Sequence, residues 1–333
     1  MPTTLPIAES VEQYINSRVD ASASTRDNHG YRLAKFVDYC TEQGITETSE
    51  IDGALIEGYR TSRLSDDNTN IVTDENNLHT FRVYLRYLER IEACNEGLAD
   101  KVLIPKVSSQ QEARDIHLSH ERATQIIEHL SKYEWASIKH VVFHLTYHTG
   151  LRRGSLYALD VDDWDSDESV LYVRHRDSTP LKLREQGERN LSITDDRLAS
   201  ALEDYLEDIR PDVTDEHDRE PLFASEQGRY HYQSLQKVFY TVTQPCYFAD
   251  ECPVGKDPDT CEYRRYGKRS KCPESVSSHP IRRSAITHHL DSDVPKYVVS
   301  ERMNVDEKTL DQHYDARSRE QKRKNREQYL DSV

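Results

Sequence analysis

From about residue 8 to residue 92, apolar residues recur at three- and four-residue spacing, the period of helices with one buried face. Val11, Ile15 and Val19 form one stripe; Tyr31, Leu33, Phe36, Val37 and Tyr39 form a second. Ile51, Leu55, Ile56 and Tyr59 form a third, and Leu78, Phe81, Tyr84 and Leu88 a fourth. About four short helices are expected, with N-cap side chains for the second between Ser22 and Arg26 and its stop at Gly44. The period is lost over residues 97–116, where Pro105 and a Ser-Ser-Gln-Gln tract read as a linker. The expected organisation is a helical domain over 1–97, a linker over 98–116 and a second domain over 117–333.

In the second domain Ile138, Val141, Val142 and Leu145 make an apolar stripe that runs to Gly150, a helix stop. Val170–Val173 and Arg189–Ile193 are short β-type runs around a connection containing Pro and Gly, which predicts a small antiparallel sheet. Helical spacing returns at Leu198, Leu202, Tyr205 and Leu206, at Leu235, Val238, Phe239 and Val242, and in segments after Pro280 and Pro295. The charged tail, Arg317 to Tyr329, reads as a further helix with a solvated face. The fold class is therefore mainly α with a small antiparallel β-sheet.

The length of 333 residues suits two domains. Apolar runs are only a few residues long, too short to cross a bilayer, and the N-terminus has no basic region followed by an apolar one, so a cytoplasmic protein is expected. Charge complicates the picture: 60 Asp and Glu against 44 Lys and Arg give a net charge of -16, opposite to the basic footprint of a nucleic-acid binder. Either cations are concentrated in a groove within an acidic shell, or the surface is adapted to very high salt. Acidic stretches at Asp160–Glu168, Asp195–Asp196 and Asp212–Glu220 look like surface and favour a halophilic protein. At molar salt the Debye length falls to roughly 3 Å, which removes most long-range repulsion from DNA.

Three segments carry candidate chemistry: Thr149-Gly-Leu-Arg-Arg-Gly-Ser-Leu156, Ser278-His-Pro-Ile-Arg-Arg283 and the run from Met303 to Tyr314. Each alone is ordinary: a surface arginine after a helix stop, a histidine beside a proline at a helix start, a tyrosine on a rim. Together, in this order and spacing, they resemble the tyrosine recombinases and phage-type integrases. Arg152 falls on the arginine of that family's Thr-Gly-Leu-Arg segment, His279 and Arg282 on its His-x-x-Arg pair, and Tyr314 on its nucleophile. Thr287-His-His-Leu290 resembles the usual continuation. The resemblance covers the second domain; the first is similar to the helical core-binding domain carried in front of it.

The residue types suit the chemistry independently. A phosphodiester under in-line attack gains charge on its non-bridging oxygens, and guanidiniums such as Arg152 and Arg282 bind those oxygens bidentately, as lysine cannot. A phenol with a pKa near 10 is a weak nucleophile until a neighbour takes its proton or cations favour its anion, and His279 is the candidate to assist Tyr314. The resemblance also implies a lysine on a turn between strands, acting as general acid toward the leaving 5′ oxygen. Lys182 is the lysine so placed, though an exposed hairpin lysine is an equal account of it. Two positions depart from the family: Ser155 replaces a frequent glutamate, and Asn304 stands where a second histidine or a tryptophan is usual. An Asn304 amide can still donate to a phosphate oxygen.

Cys40 and Cys94 are isolated and read as buried packing, whereas Cys246, Cys252, Cys261 and Cys272 cluster in an insertion over 246–272. Structural zinc, disulfides and unremarkable thiols are all open for the cluster, with disulfides disfavoured in a reducing compartment. Within it Arg264, Arg265, Lys268, Arg269 and Lys271 form the most basic stretch of the chain, either a contact to DNA phosphates or a solvated loop.

The resemblance implies a site-specific recombinase that holds double-stranded DNA between its two domains and cuts and rejoins it through a 3′-phosphotyrosyl intermediate. It needs no cofactor for catalysis, and acts as a dimer on one site and a tetramer in synapsis. Rival expectations are a type IB topoisomerase, a DNA-binding protein of the same fold with impaired catalysis, and a zinc-dependent interaction module with accidental matches.

Overall fold

The computed structural model describes residues 4–66, 69–106, 118–249 and 252–313. The chain divides into two compact units, 1–115 and 116–333. The expected helix over Arg317 to Tyr329 lies outside the described residues.

Unit one contains α1 (Ile7–Ser17), α2 (Ala23–Glu42), α3 (Gly53–Leu64) and α4 (Ile71–Arg90). Side-chain caps start three of them: Ser22, Asp52 and Asn70 accept the backbone N–H groups of Thr25, Leu55 and Thr73. Two helices, α2 and α4, reach 20 residues, longer than the short helices expected. The aromatic members of the predicted stripes form the core, with Phe36 and Phe81 at 4.4 Å between ring centres and Tyr59 edge-on to Phe81 at 5.0 Å. Val19 and Tyr31 break the expected pattern; both are exposed, and Val19 lies beyond the end of α1. Cys40 and Cys94 are buried, which pushes their thiols up to about 12 and about 11.

Unit two is built around α6 (Ile138–Thr149), which follows α5 (His120–Tyr133). Ser137 caps the start of α6, and Gly150, left-handed at φ +63°, ends it as expected. Nine of the twelve α6 residues are buried, so this helix is covered nearly all round rather than along one stripe. Short α7 (Arg153–Ala158) leads to a sheet of β1 (Trp164–Asp165), β2 (Val170–Val173) and β3 (Arg189–Ser192). The antiparallel β2–β3 pair runs in the register Val170↔Ser192 to Val173↔Arg189, with Leu171, Val173 and Leu191 turned to the core. Strand β1 was not anticipated, because its two residues lie in an acidic run without alternation.

The remaining elements are α8 (Asp196–Asp204), the hairpin β4 (Ala224–Ser225) and β5 (Gly228–Arg229), α9 (Tyr232–Val242) and α10 (Pro245–Phe248). They are followed by α11 (Ser278–Asp291), α12 (Lys296–Met303) and α13 (Glu307–His313). α11 packs on α6, and Arg282 in α11 donates to the Gly150 carbonyl at the end of the central helix.

Part of the acidic sequence is internal, contrary to the expectation of surface. Asp163 is fully buried, with its carboxylate on Arg174 at 2.9 Å and Arg176 at 2.7 Å. Asp160 pairs with Arg176 and Arg219, each at 3.1 Å, and with Arg229. Arg229 and Arg219 also hold Asp215, at 2.7 and 3.2 Å. Each carboxylate has more than one guanidinium, which offsets its desolvation. Removing one partner would strand a buried charge.

Two outcomes are expected. Asp163→Ala lowers the stability of unit two by about 3–5 kcal/mol, read as a lower denaturant midpoint at unchanged slope. Burial holds His140 and His148 down at about 4, so the unfolded chain binds these protons first as pH falls. Their contribution to stability is complete above pH 6.5 and is lost between about 6.5 and about 4, which urea titrations across that window will register.

Candidate active site

Gly150 and the turn after it decide where Arg152 points. A left-handed residue reverses the chain at the end of α6 and leaves Arg152 extended, at φ -70° and ψ 148°, as the cap of α7. Its Nη2 donates to the carbonyl oxygen of Asn304 at 3.0 Å. Arg282 lies in the first half of α11 and is 4% exposed. It donates through Nη1 to the Gly150 carbonyl and through Nη2 to the same Asn304 oxygen, at 3.3 Å. Two guanidiniums from distant segments thus converge on one oxygen.

Asn304 ends α12 in the left-handed region, at φ 48°, which turns its carbonyl toward the arginines. Its side-chain Nδ2 donates to the Gln186 carbonyl at 3.2 Å, on the loop between β2 and β3. The Asn304 amide, expected to donate to a phosphate oxygen, here ties α12 to the hairpin loop. Lys182 is exposed on that same loop.

His279, the second residue of α11, has an exposed side chain. Partial desolvation, and then the positive charges of Arg282, Arg283, Arg152 and Lys182, lower its pKa from the ordinary value of 6.5. The imidazole is neutral at pH 7. The four charges named are all cationic, in a chain with net charge -16, so the site is a local reversal of the global sign. Arg152, Lys182, His279, Arg282 and Asn304 are brought together. Tyr314 lies outside the described residues; α13 ends at the residue before it.

Arg189 was not singled out from sequence. At the start of β3 it donates to the carbonyls of Arg302 at 2.9 Å and Gly187 at 2.7 Å. Burial, with Arg152 and Arg302 nearby, holds it down at about 10. Its position as the first polar residue of a β-type run carried no sign of this role. Arg153 stacks over the Tyr232 ring at 3.9 Å and donates to Gln236 at 2.8 Å. Ser155 is buried and supports the first turn of α7 through its backbone N–H, which donates to the Arg152 carbonyl.

In the basic stretch Arg264, Arg265, Lys268 and Lys271 are exposed, whereas Arg269 is partly buried and bonded to Thr241 at 2.5 Å. The four cysteines of the insertion are free thiols. Among the described residues, no group of three or more His, Cys, Asp or Glu side chains stands ready to hold a metal ion. No helix among them is long and apolar enough to cross a membrane.

Gly150 and Gly154 make a paired test. A Cβ at Gly150 would stand 2.7 Å from the Met303 sulfur at a left-handed φ, whereas nothing lies within 4 Å of one at Gly154. Gly150→Ala is expected to cost about 1–2 kcal/mol, while Gly154→Ala, inside α7, is neutral or stabilising by about 0.5–1 kcal/mol. Thermal unfolding of both variants checks this.

The profile of the phage integrase family matches residues 117–321. No curated protein sequence matches the chain. Among solved structures, the Tn1549 transposon integrase in complex with a circular intermediate DNA is similar with a TM-score of 0.67 and 13% identity, over 97% of this chain and 99% of that one. A lambda integrase dimer bound to a COC′ core site is similar with a TM-score of 0.63 and 11% identity, over 95% of this chain and 79% of that one. At these identities the likeness is one of fold, and it spans both units. The profile covers more than half of the sequence and includes every segment of the site, so the chain belongs to the phage integrase family, the tyrosine-type site-specific DNA recombinases.

Proposed function

We propose that this chain recombines double-stranded DNA by attack of the Tyr314 hydroxyl on a backbone phosphate held by Arg152 and Arg282. The convergence of both guanidiniums on a single carbonyl oxygen carries this assignment, since one phosphoryl oxygen needs the same pair of donors. As the Tyr314 oxygen bonds to phosphorus, the bond to the 5′ oxygen breaks and Lys182 supplies its proton. The products are a 3′-phosphotyrosyl link and a free 5′ hydroxyl. Attack by a hydroxyl from another strand reverses the step and releases Tyr314. The ester bond is conserved throughout, so no ATP is consumed, and recombinases of this type need no cofactor for catalysis.

Neutral His279 accepts a hydrogen bond or a proton at the reacting oxygens, and Asn304 holds the arginines and the Lys182 loop in register. Arg264, Arg265, Lys268 and Lys271, with Arg269 in a partly structural role, contact DNA phosphates beside the site. The expected assembly is a dimer on one site and a tetramer in synapsis, in the cytoplasm where the substrate lies. The net charge of -16 fits work at high salt, although Asp160, Asp163 and Asp215 are accounted for by internal pairing.

A nicked suicide substrate should trap the wild-type chain covalently and leave Tyr314→Phe unlinked; no adduct with either would reduce the chain to a DNA-binding protein. Joining of two differently labelled sites separates recombination from topoisomerase action. Arg282→Lys should lower the cleavage rate by about 10²-fold or more while DNA binding changes little, because a lysine cannot supply two parallel donors. The acid limb of the cleavage rate should fall below pH 6.5, because the lowered pKa keeps His279 neutral through its ordinary titration range.

A further inference from the structure

From Ala249 to Ser277 the described chain has no α-helix or strand, only the single turns Glu262–Arg264 and Arg269–Lys271. Val276 is its one fully buried apolar side chain among the described residues. So little apolar burial does not offset the entropy of ordering a segment of this length. The segment nevertheless holds defined turns, and three begin at cysteines. The carbonyls of Cys252, Cys261 and Cys272 accept the N–H groups of Gly255, Arg264 and Ser275, at 2.8, 3.2 and 3.1 Å. The fourth cysteine, Cys246, sits on α10.

All four line one small pocket, closed by Pro245, Pro253 and Tyr263. All four are free and half-buried. Sequence separation alone did not require this convergence. Four soft donors around one small cavity are the donor set of a tetrahedral thiophilic ion, and as they stand the side chains must turn to form it.

We propose that Cys246, Cys252, Cys261 and Cys272 turn inward as thiolates onto one zinc ion, releasing their protons to solvent, and that this ion is the missing core of the segment. The site acts as a strut for the active site. Immediately after Cys272, the Glu274 carbonyl accepts Arg122 at 2.6 Å, Ser275 Oγ donates to the Tyr240 carbonyl at 2.6 Å and the Val276 N–H donates to Thr243 at 2.9 Å. These bonds set the start of α11, and with it His279 and Arg282. The inference stands apart from the proposed reaction, since its test reads metal and not recombination.

The full chain, purified under reducing conditions and dialysed after exposure to zinc, should retain about one ion per chain by elemental analysis, the stoichiometry of a four-thiolate site. Replacement by cobalt should give a thiolate-to-metal charge-transfer band, and a mercurial should release zinc in step with four thiols. A variant with all four cysteines changed to serine should retain none. If that variant does not fold, the cobalt spectrum and mercurial titration of the wild-type chain decide. Zinc below about a tenth of an ion per chain, a cobalt complex without thiolate character, disulfides among these cysteines in the reduced preparation, or zinc retained by the serine variant would each overturn the proposal.

Discussion

The site depends on one shared acceptor. The Asn304 carbonyl receives both Arg152 and Arg282, and three backbone features make that meeting available. Gly150 reverses the chain in the left-handed region, α11 packs on α6, and Asn304 ends α12 left-handed with its carbonyl turned inward. Like charges at such proximity repel, and an acceptor between them offsets that repulsion. The Asn304 carbonyl is one acceptor that both guanidiniums share.

Charge is sorted in the same way across unit two. Asp160, Asp163 and Asp215 share Arg174, Arg176, Arg219 and Arg229 in an internal lattice around the base of the sheet. Cations at the site act on His279 from Arg282, Arg283, Arg152 and Lys182. A chain of net charge -16 can therefore present a positive pocket, because local field is set by nearby, partly desolvated groups rather than by the sum. Arg189 extends this pattern, anchored by two backbone carbonyls and lowered in pKa by burial first and then by its cationic neighbours Arg152 and Arg302.

The hairpin loop is the second dependency. Lys182 rides on an exposed connection, and the Asn304 amide holds that connection at Gln186. The same residue therefore orients the arginines through its backbone and the lysine loop through its side chain. A polar residue at this position serves geometry here.

Periodicity by itself determined α1 to α4, α6, α8, α9, α11 and α12, the stop at Gly150, the β2–β3 pairing and the aromatic core of unit one, because these follow from local spacing and capping. The family resemblance carried by motif order identified Arg152, His279 and Arg282 as partners. What tertiary structure alone decided is where non-local charges and donors meet. Asp163 looked like surface and is fully buried, because arginines from the hairpin reach it. Arg189 carried no motif, and its neighbours come from α12 and the turn before α7. The cysteines were four letters at irregular spacing until folding put them around one pocket. Spacing along a chain encodes local geometry; the field at a site sums over groups distant in sequence, and only packing brings them within reach.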